Sequence, residues 1–197
     1  MAAERVAEVR RQTTETDVVV RVALDGRGDH AIATGVGFLD HMLRALAAHG
    51  RLDLAVSASG DLEVDAHHTV EDVALALGRA LTDALGDRRG IERFGHAVVP
   101  MDESLVSAAL DCSGRGHAVV TLGFQGETVG GLPVTLLRHF LETLACTAGL
   151  TLHLSGTGGD NHHLAEAAFK ALARALRQAV RRDPTLADAV PSTKGQL

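Results

Sequence analysis

The motif His-His-x-x-Glu occurs twice, at His67-His68-Thr69-Val70-Glu71 and at His162-His163-Leu164-Ala165-Glu166. On a helix, residues i and i+4 share a face. His67 with Glu71 can therefore grip one ion, and His162 with Glu166 another. His68 and His163 are turned from their neighbours by about 100°. They must look elsewhere, most simply at a second ion. Imidazole nitrogens with one carboxylate oxygen suit Mn²⁺, Fe²⁺ or Zn²⁺ and exclude an all-oxygen Ca²⁺ site. A single histidine on an amphipathic helix is ordinarily satisfied by the core or by solvent. The doubling of the motif is what makes these six residues metal ligands.

The doubling extends along the chain. With a shift of 95 residues, nine of the eighteen positions in 67–84 are identical to those in 162–179. Upstream, a shift of 98 pairs His41 with His139, Leu46 with Leu144 and Leu54 with Leu152. This is an internal repeat, two fused halves at 1–92 and 93–197 that act as one unit. His41 and His139 join the ligand set by repeat symmetry. Six His and two Glu then divide into two sites of three imidazoles and one carboxylate each. On an octahedral ion that leaves two positions open, as a catalytic metal needs.

Periodicity supplies the elements that must carry these residues. Alternating or β-branched runs predict strands at 17–24, 30–34, 52–56, 96–100, 105–111, 117–122 and 150–154. Helical spacing predicts helices at 40–49, 67–85, 133–148 and 161–182. The Gly-rich stretch 123–131 reads as a loop. His30, His96, His117 and His153 fall in strands, and His49 ends a helix; none has the support of the repeat.

Composition narrows the function. The 197 residues carry 46% hydrophobic and 22% charged side chains and a net charge of -6, which is a globular balance. No basic run exists, and the chain has five Phe but no Trp or Tyr. Nucleic acid is thereby excluded as an expected partner, since it needs a basic footprint and stacking aromatics. No apolar stretch is long enough for a membrane span, and the N-terminus has no signal-peptide pattern. Cys112 and Cys146 read as small buried residues in a reducing cytoplasm. Isolated cations in Gly/Ser segments (Arg93, Arg115, and Lys194 beside Ser192) match the fork geometry that holds a phosphate. Spacing alone does not separate that reading from solvated surface charge. Glu15, near a strand start, is on the same footing.

Taken together, the motifs resemble the imidazoleglycerol-phosphate dehydratases. They include Arg-x-Thr-x-Glu-Thr at 11–16, Gly-x-Gly-Phe-Leu-Asp-His-Met-Leu at 35–43 and Asp-x-His-His-Thr-x-Glu-Asp at 65–72. Arg-Phe-Gly at 93–95, Met-Asp-Glu-Ser-Leu at 101–105 and Ser-Gly-Arg at 113–115 continue the match. His-His-x-x-Glu-Ala-x-Phe-Lys at 162–170 and Pro-Ser-Thr-Lys-Gly at 191–195 complete it. Two positions depart from the pattern: Cys112 replaces a larger aliphatic residue, and Gly116 follows Arg115 where Pro is expected. The resemblance implies an α+β fold in which each half runs β-β-β-α-β-α. A four-helix layer then lies between two four-stranded sheets. It implies two Mn²⁺ per active site, held by His41, His67, His68, Glu71, His139, His162, His163 and Glu166. It implies substrate contacts at Glu15, His41, Arg93, Arg115, Ser192 and Lys194. It also implies a 24-subunit homo-oligomer with active sites completed between subunits.

The implied reaction is loss of water from imidazole glycerol phosphate, a carbon–oxygen hydro-lyase step of histidine biosynthesis. The proton removed sits on a carbinol carbon with no adjacent carbonyl. Metal coordination of the substrate ring favours imidazolate, which can expel the neighbouring hydroxyl and make the adjacent C–H acidic. Glu15 and the carboxylates and imidazoles of the metal sites (His67, Glu71, His163, Glu166) are the groups expected to carry the chemistry. Two rivals use the same ligands: a dinuclear hydrolase and a metal-storage protein.

Overall fold

The computed structural model describes residues 4–186 and 189–197. The first half contains β1 (Val6–Gln12), β2 (Thr16–Ala23), β3 (His30–Ala33), α1 (Gly37–Gly50), β4 (Asp53–Gly60) and α2 (His67–Leu85). The second contains β5 (Phe94–Met101), β6 (Ser104–Asp111), β7 (His117–Leu122), β8 (Thr128–Val129), β9 (Leu132–Pro133), α3 (Val134–Thr147), β10 (Thr151–Thr157) and α4 (Asn161–Ala179). Apart from the β8–β9 ribbon, both run β-β-β-α-β-α. The sheets have the same order, β1-β2-β4-β3 and β5-β6-β10-β7. In each, the first two strand pairs are antiparallel and the last is parallel.

Strand β2 shows why a sheet forms here. Val18, Val20 and Val22 are fully buried while the alternate residues are not, so one pleat face enters the core. The helices form the other side of both cores. α2 packs on β1 and β2, α4 on β5 and β6, while α1 lies against α4 and α2 against α3. Phe140 and Phe169 stack at 5.7 Å in this layer.

Differences from the expected elements have local causes. β1 was not apparent because Glu8, Arg10 and Arg11 interrupt its apolar pattern; it is an edge strand with one solvated side. The 123–131 loop contains the first strand of a two-residue ribbon, Thr128↔Pro133 and Val129↔Leu132. α4 stops at Ala179, where the segment leading into β5 takes over its last carbonyls: the Arg93 N–H donates to the Ala179 carbonyl at 2.9 Å.

The packing of α4 on β5 leaves no space at Gly95. A methyl there would stand 1.9 Å from the Ala175 carbonyl oxygen and 2.9 Å from the Ala179 nitrogen. Both obstacles are backbone, so neither can swing aside. Gly95→Ala should cost about 3 kcal/mol or more, measured as a shift in the denaturant midpoint at constant slope. An unchanged midpoint would show that the α4–β5 contact yields easily.

Candidate active site

The histidines lie near the N-terminal ends of all four helices, and the helix pairing decides which of them meet. Because α1 lies beside α4, His41 Nε2 is 2.9 Å from Glu166 Oε2, and His162 Nε2 is 3.3 Å from the same oxygen. Because α2 lies beside α3, His139 Nε2 is 3.2 Å from Glu71 Oε1, while His67 Nε2 is 3.8 Å from Glu71 Oε2. Each cluster thus draws its two helices from different halves. The ring separations match: 5.3 Å for His41–His162 and 5.4 Å for His67–His139. Asp65 and Asp160 hold the helix starts in register, each accepting the N–H two residues on, of His67 and His162, at 2.6 Å.

Both groups fit a metal ion. The donor atoms of His41, His162 and Glu166 lie within 4.8 Å of one another, as do those of His67, Glu71 and His139. Bonds of about 2.1–2.2 Å around an octahedral ion place donors about 3 to 4.4 Å apart. His139 Nε2 is buried, and its 3.2 Å approach to Glu71 lacks hydrogen-bond geometry, so it has no hydrogen-bond partner among the described residues, a position a cation satisfies. A cleft of about 310 Å³ opens beside this cluster, lined by Asp65, His67, Thr135 and His139 among others.

His68 and His163 do not join either cluster. His68 Nδ1 sits 2.9 Å from Asp61 and 3.7 Å from Glu15. His163 Nδ1 sits 3.1 Å from Glu103 and 3.8 Å from Asp102. The hydrogen bonds to Asp61 and Glu103 raise the two imidazole pKa values. In return, His163 and nearby backbone N–H groups hold the Glu103 carboxyl down at about 2. A carboxylate on Nδ1 fixes the ring tautomer and leaves Nε2 as the donor. Within one chain, then, each cluster holds two imidazoles and one carboxylate instead of three and one.

Glu15 stands on the β1–β2 turn, and the turn is firmly held. Thr13 Oγ1 accepts from the N–H groups of Glu15 and Thr16 at 3.1 and 3.0 Å. Below it, Asp72 is buried and bonded to Arg11 Nε at 2.6 Å and to the Thr16 hydroxyl. That contact ties the turn to α2, beside Glu71.

Arg93 and Arg115 lie at the other end of the molecule. Arg93 grips Asp111 with two bonds, Nε–Oδ1 at 2.7 Å and Nη2–Oδ2 at 3.0 Å, and donates from Nη1 to the Pro191 carbonyl at 2.8 Å. Arg115 Nη2 is 3.9 Å from the same Asp111 and is largely exposed. Pro191 brings the tail turn with it, in which Ser192 Oγ accepts the Lys194 N–H at 3.2 Å. So Arg93, Arg115, Ser192 and Lys194 come together, but away from the imidazoles. Arg93 is tied to Ala179 at the last turn of α4, whereas His162 begins that helix. The eighteen-residue span is about 27 Å.

A family model for imidazoleglycerol-phosphate dehydratase matches residues 34–176. The Acidiphilium cryptum (strain JF-5) protein of that name is 54% identical over 194 residues, covering 98% of this chain and 99% of that protein. The Prochlorococcus marinus (strain MIT 9313) protein of that name is 53% identical, covering 100% of this chain and 95% of that one. The chain belongs to the imidazoleglycerol-phosphate dehydratase family. The fold agrees. The Staphylococcus aureus N315 dehydratase structure matches at a TM-score of 0.82 and 32% identity, covering 90% of this chain and 99% of that one. The Pyrococcus furiosus structure, in complex with (S)-C348, matches at 0.82 and 38%, covering 96% and 100%.

Against this dehydratase pattern, both departures have local explanations. A Cβ at Gly116 would lie 2.1 Å from the Cys146 carbonyl oxygen and 2.6 Å from its Cα, so α3 approaches as only glycine permits. Cys112 is fully buried, and burial pushes its thiol up to about 12; it packs and does not react. Cys146 is exposed, contrary to the expectation of burial. The sequence reading also missed Lys170 as a site residue. Its Nζ lies 2.7 Å from Glu166 Oε1. Burial works to raise the Glu166 carboxyl, but Lys170 and His41 overcome it and hold it at about 2. The i,i+4 spacing was a visible signal. The equivalent position in the other half is Leu75, so the two clusters are not chemically identical. Asp61 and Glu103 gave no such signal, because they reach His68 and His163 from separate loops.

Proposed function

We propose that the chain is a Mn²⁺-dependent dehydratase of histidine biosynthesis. It converts D-erythro-imidazole glycerol phosphate to imidazole acetol phosphate and water. The observation that carries this reading is the pair of two-imidazole, one-carboxylate clusters built across the halves. His41, His162 and Glu166 hold one ion, and His67, Glu71 and His139 the other. Mn²⁺ held by these residues would supply Lewis acidity to the substrate imidazole and would favour its deprotonated form. Arg93, Arg115, Ser192 and Lys194 anchor the phosphate and position the glycerol chain. Glu15 takes or returns the proton at the carbinol carbon.

The separation along α4 bears on assembly. A molecule as small as the substrate cannot touch the His41 cluster and the Arg93 group of one chain at once. This supports active sites completed between copies in a homo-oligomer, with 24 subunits as the family resemblance implies. The free Nε2 atoms of His68 and His163 support their serving as ligands to ions shared with neighbouring subunits, which brings each site to three imidazoles. The matching sheet orders support 1–92 and 93–197 as repeat halves of one unit. Among the described residues no helix is long and apolar enough to cross a membrane. The two free cysteines support a reducing, cytoplasmic setting.

The direct test is turnover of imidazole glycerol phosphate by chelated protein, with and without added Mn²⁺, following the ketone. Ketone formation that requires Mn²⁺ is expected. Fully metallated, assembled protein that gives no ketone would overturn the reading, and release of inorganic phosphate instead would indicate a hydrolase. Lys194→Ala should raise KM about 10- to 100-fold, the loss of one charge-assisted contact to phosphate. Metal content should stay at two ions per chain. An unchanged KM would remove Lys194 from the phosphate site.

A further inference from the structure

A cationic groove lies at the open edge of the second sheet, between β5 and the outer face of α4. Its cavity of about 270 Å³ is lined by His96, Arg174, Arg177, Gln178 and Arg181. The backbone of the edge strand is partly satisfied here, since the His96 N–H donates to Gln178 Oε1 at 3.0 Å. Arg174 and Arg177 stand at i and i+3 on one face of α4, and Arg181 follows two residues past its end. Arg51, at the C-terminal cap of α1, adds a fourth charge close enough to act on Arg177. Arg181 is neutralised by Glu92, Nε–Oε1 2.6 Å. Arg51, Arg174 and Arg177 have no acidic partner among the described residues. The crowding is felt: burial, then Arg51, Arg174 and Arg181, lower the Arg177 pKa.

The internal repeat provides a control within the same chain. Arg79 of α2 is the counterpart of Arg174, and it is paired with Asp83 at 3.0 Å, one turn on. In α4 the position of Asp83 is occupied by Gln178, and that of Thr82 by Arg177. One acid has been replaced by a neutral amide and one cation added on the same helix face. The chain as a whole is acidic, at -6, so a general excess of arginine is not the cause. Like charges at helical spacing destabilise a helix unless something neutralises them.

We propose that this groove is a second anion-binding site, for a tetrahedral dianion such as the phosphate of a small phosphorylated molecule. Two guanidinium forks supply paired N–H donors, which match phosphate geometry, and the Gln178 amide supplies further donors. The site is distinct from the imidazole clusters, because Glu166 and Arg174 are about 12 Å apart along the helix. Arg93, which is paired with Asp111, does not line it. It does not depend on the dehydratase reading.

Equilibrium dialysis of the metallated, assembled protein against labelled inorganic sulfate at low chloride tests it. Sulfate avoids the competition of phosphate for bound metal. R174Q/R177Q should bind one sulfate fewer per chain than the wild type, whereas R79Q should bind the same number. Glutamine is a good helix former at exposed sites, and an unchanged or raised Tm for the double variant would show that it folds. The same number of sulfates at the same affinity in R174Q/R177Q would overturn the proposal. So would an unchanged sulfate count with an altered particle size in light scattering, which would make this face a contact between copies.

Discussion

Glu71→Gln should reduce bound metal from two ions per chain to one and lower turnover by at least about 100-fold. The reason is local. Glu71 is the only carboxylate in its cluster, with one oxygen 3.2 Å from His139 Nε2 and the other 3.8 Å from His67 Nε2. An amide keeps the shape but removes the negative charge and offers one weak donor oxygen. Imidazoles carry no negative charge to offset a divalent ion. Metal analysis after dialysis and the rate at saturating substrate should therefore fall together. Glu166→Gln should empty the other position, with a further consequence: Lys170 loses the negative charge 2.7 Å from its Nζ and is left as a part-buried ammonium with no counter-charge. The second substitution should therefore lower stability more than the first, because Leu75 stands where Lys170 would be in the Glu71 cluster. Two ions per chain and wild-type turnover in Glu71→Gln would remove this cluster from the mechanism.

The pairing of imidazole with carboxylate on each helix was legible in the sequence because helix geometry is local. Spacing of four places His67 with Glu71, and His162 with Glu166, whatever the tertiary fold. The same local rule turned His68 and His163 away, and they do face other carboxylates. What the spacing could not supply was the partner of each pair. His41 meets Glu166, 125 residues away, because α1 packs on α4; no periodicity within either helix encodes that choice. The strands were legible where one face is dry, as in Val18, Val20 and Val22. They were lost where charged residues interrupt the apolar pattern of an edge strand, as in β1. The grouping of Arg93 and Arg115 with the tail turn was the least legible part. Arg93 and Pro191 come together across 98 residues through a loop–tail contact that leaves no repeating pattern. Their place in Gly/Ser segments marked them as cations that could hold a phosphate, and only the family resemblance favoured that reading over solvated charge.

Glu15→Gln carries the other large effect, and it should separate chemistry from binding. The turn that presents Glu15 does not depend on the side chain it presents. Thr13 holds the backbone through two N–H groups, and the Arg11–Asp72–Thr16 contacts hold the turn against α2. The carboxylate itself is half exposed and 3.7 Å from His68 Nδ1, a longer approach than that of Asp61 at 2.9 Å. Asp61 thus supplies the main restraint on His68, and the metal-binding nitrogen should keep its orientation without the Glu15 charge. Glutamine is isosteric but cannot accept a proton. Removing a general acid or base costs about 10²- to 10⁴-fold, so kcat should fall by that factor. KM should change little, and two metal ions per chain should remain. A fall in metal content alongside kcat would instead place Glu15 in the support of His68. Wild-type kcat would eliminate it as the acid or base and pass the proton transfer to another group. The isosteric pair Asp61→Asn completes the comparison: it should disturb metal content first and turnover through it, the opposite order from Glu15→Gln.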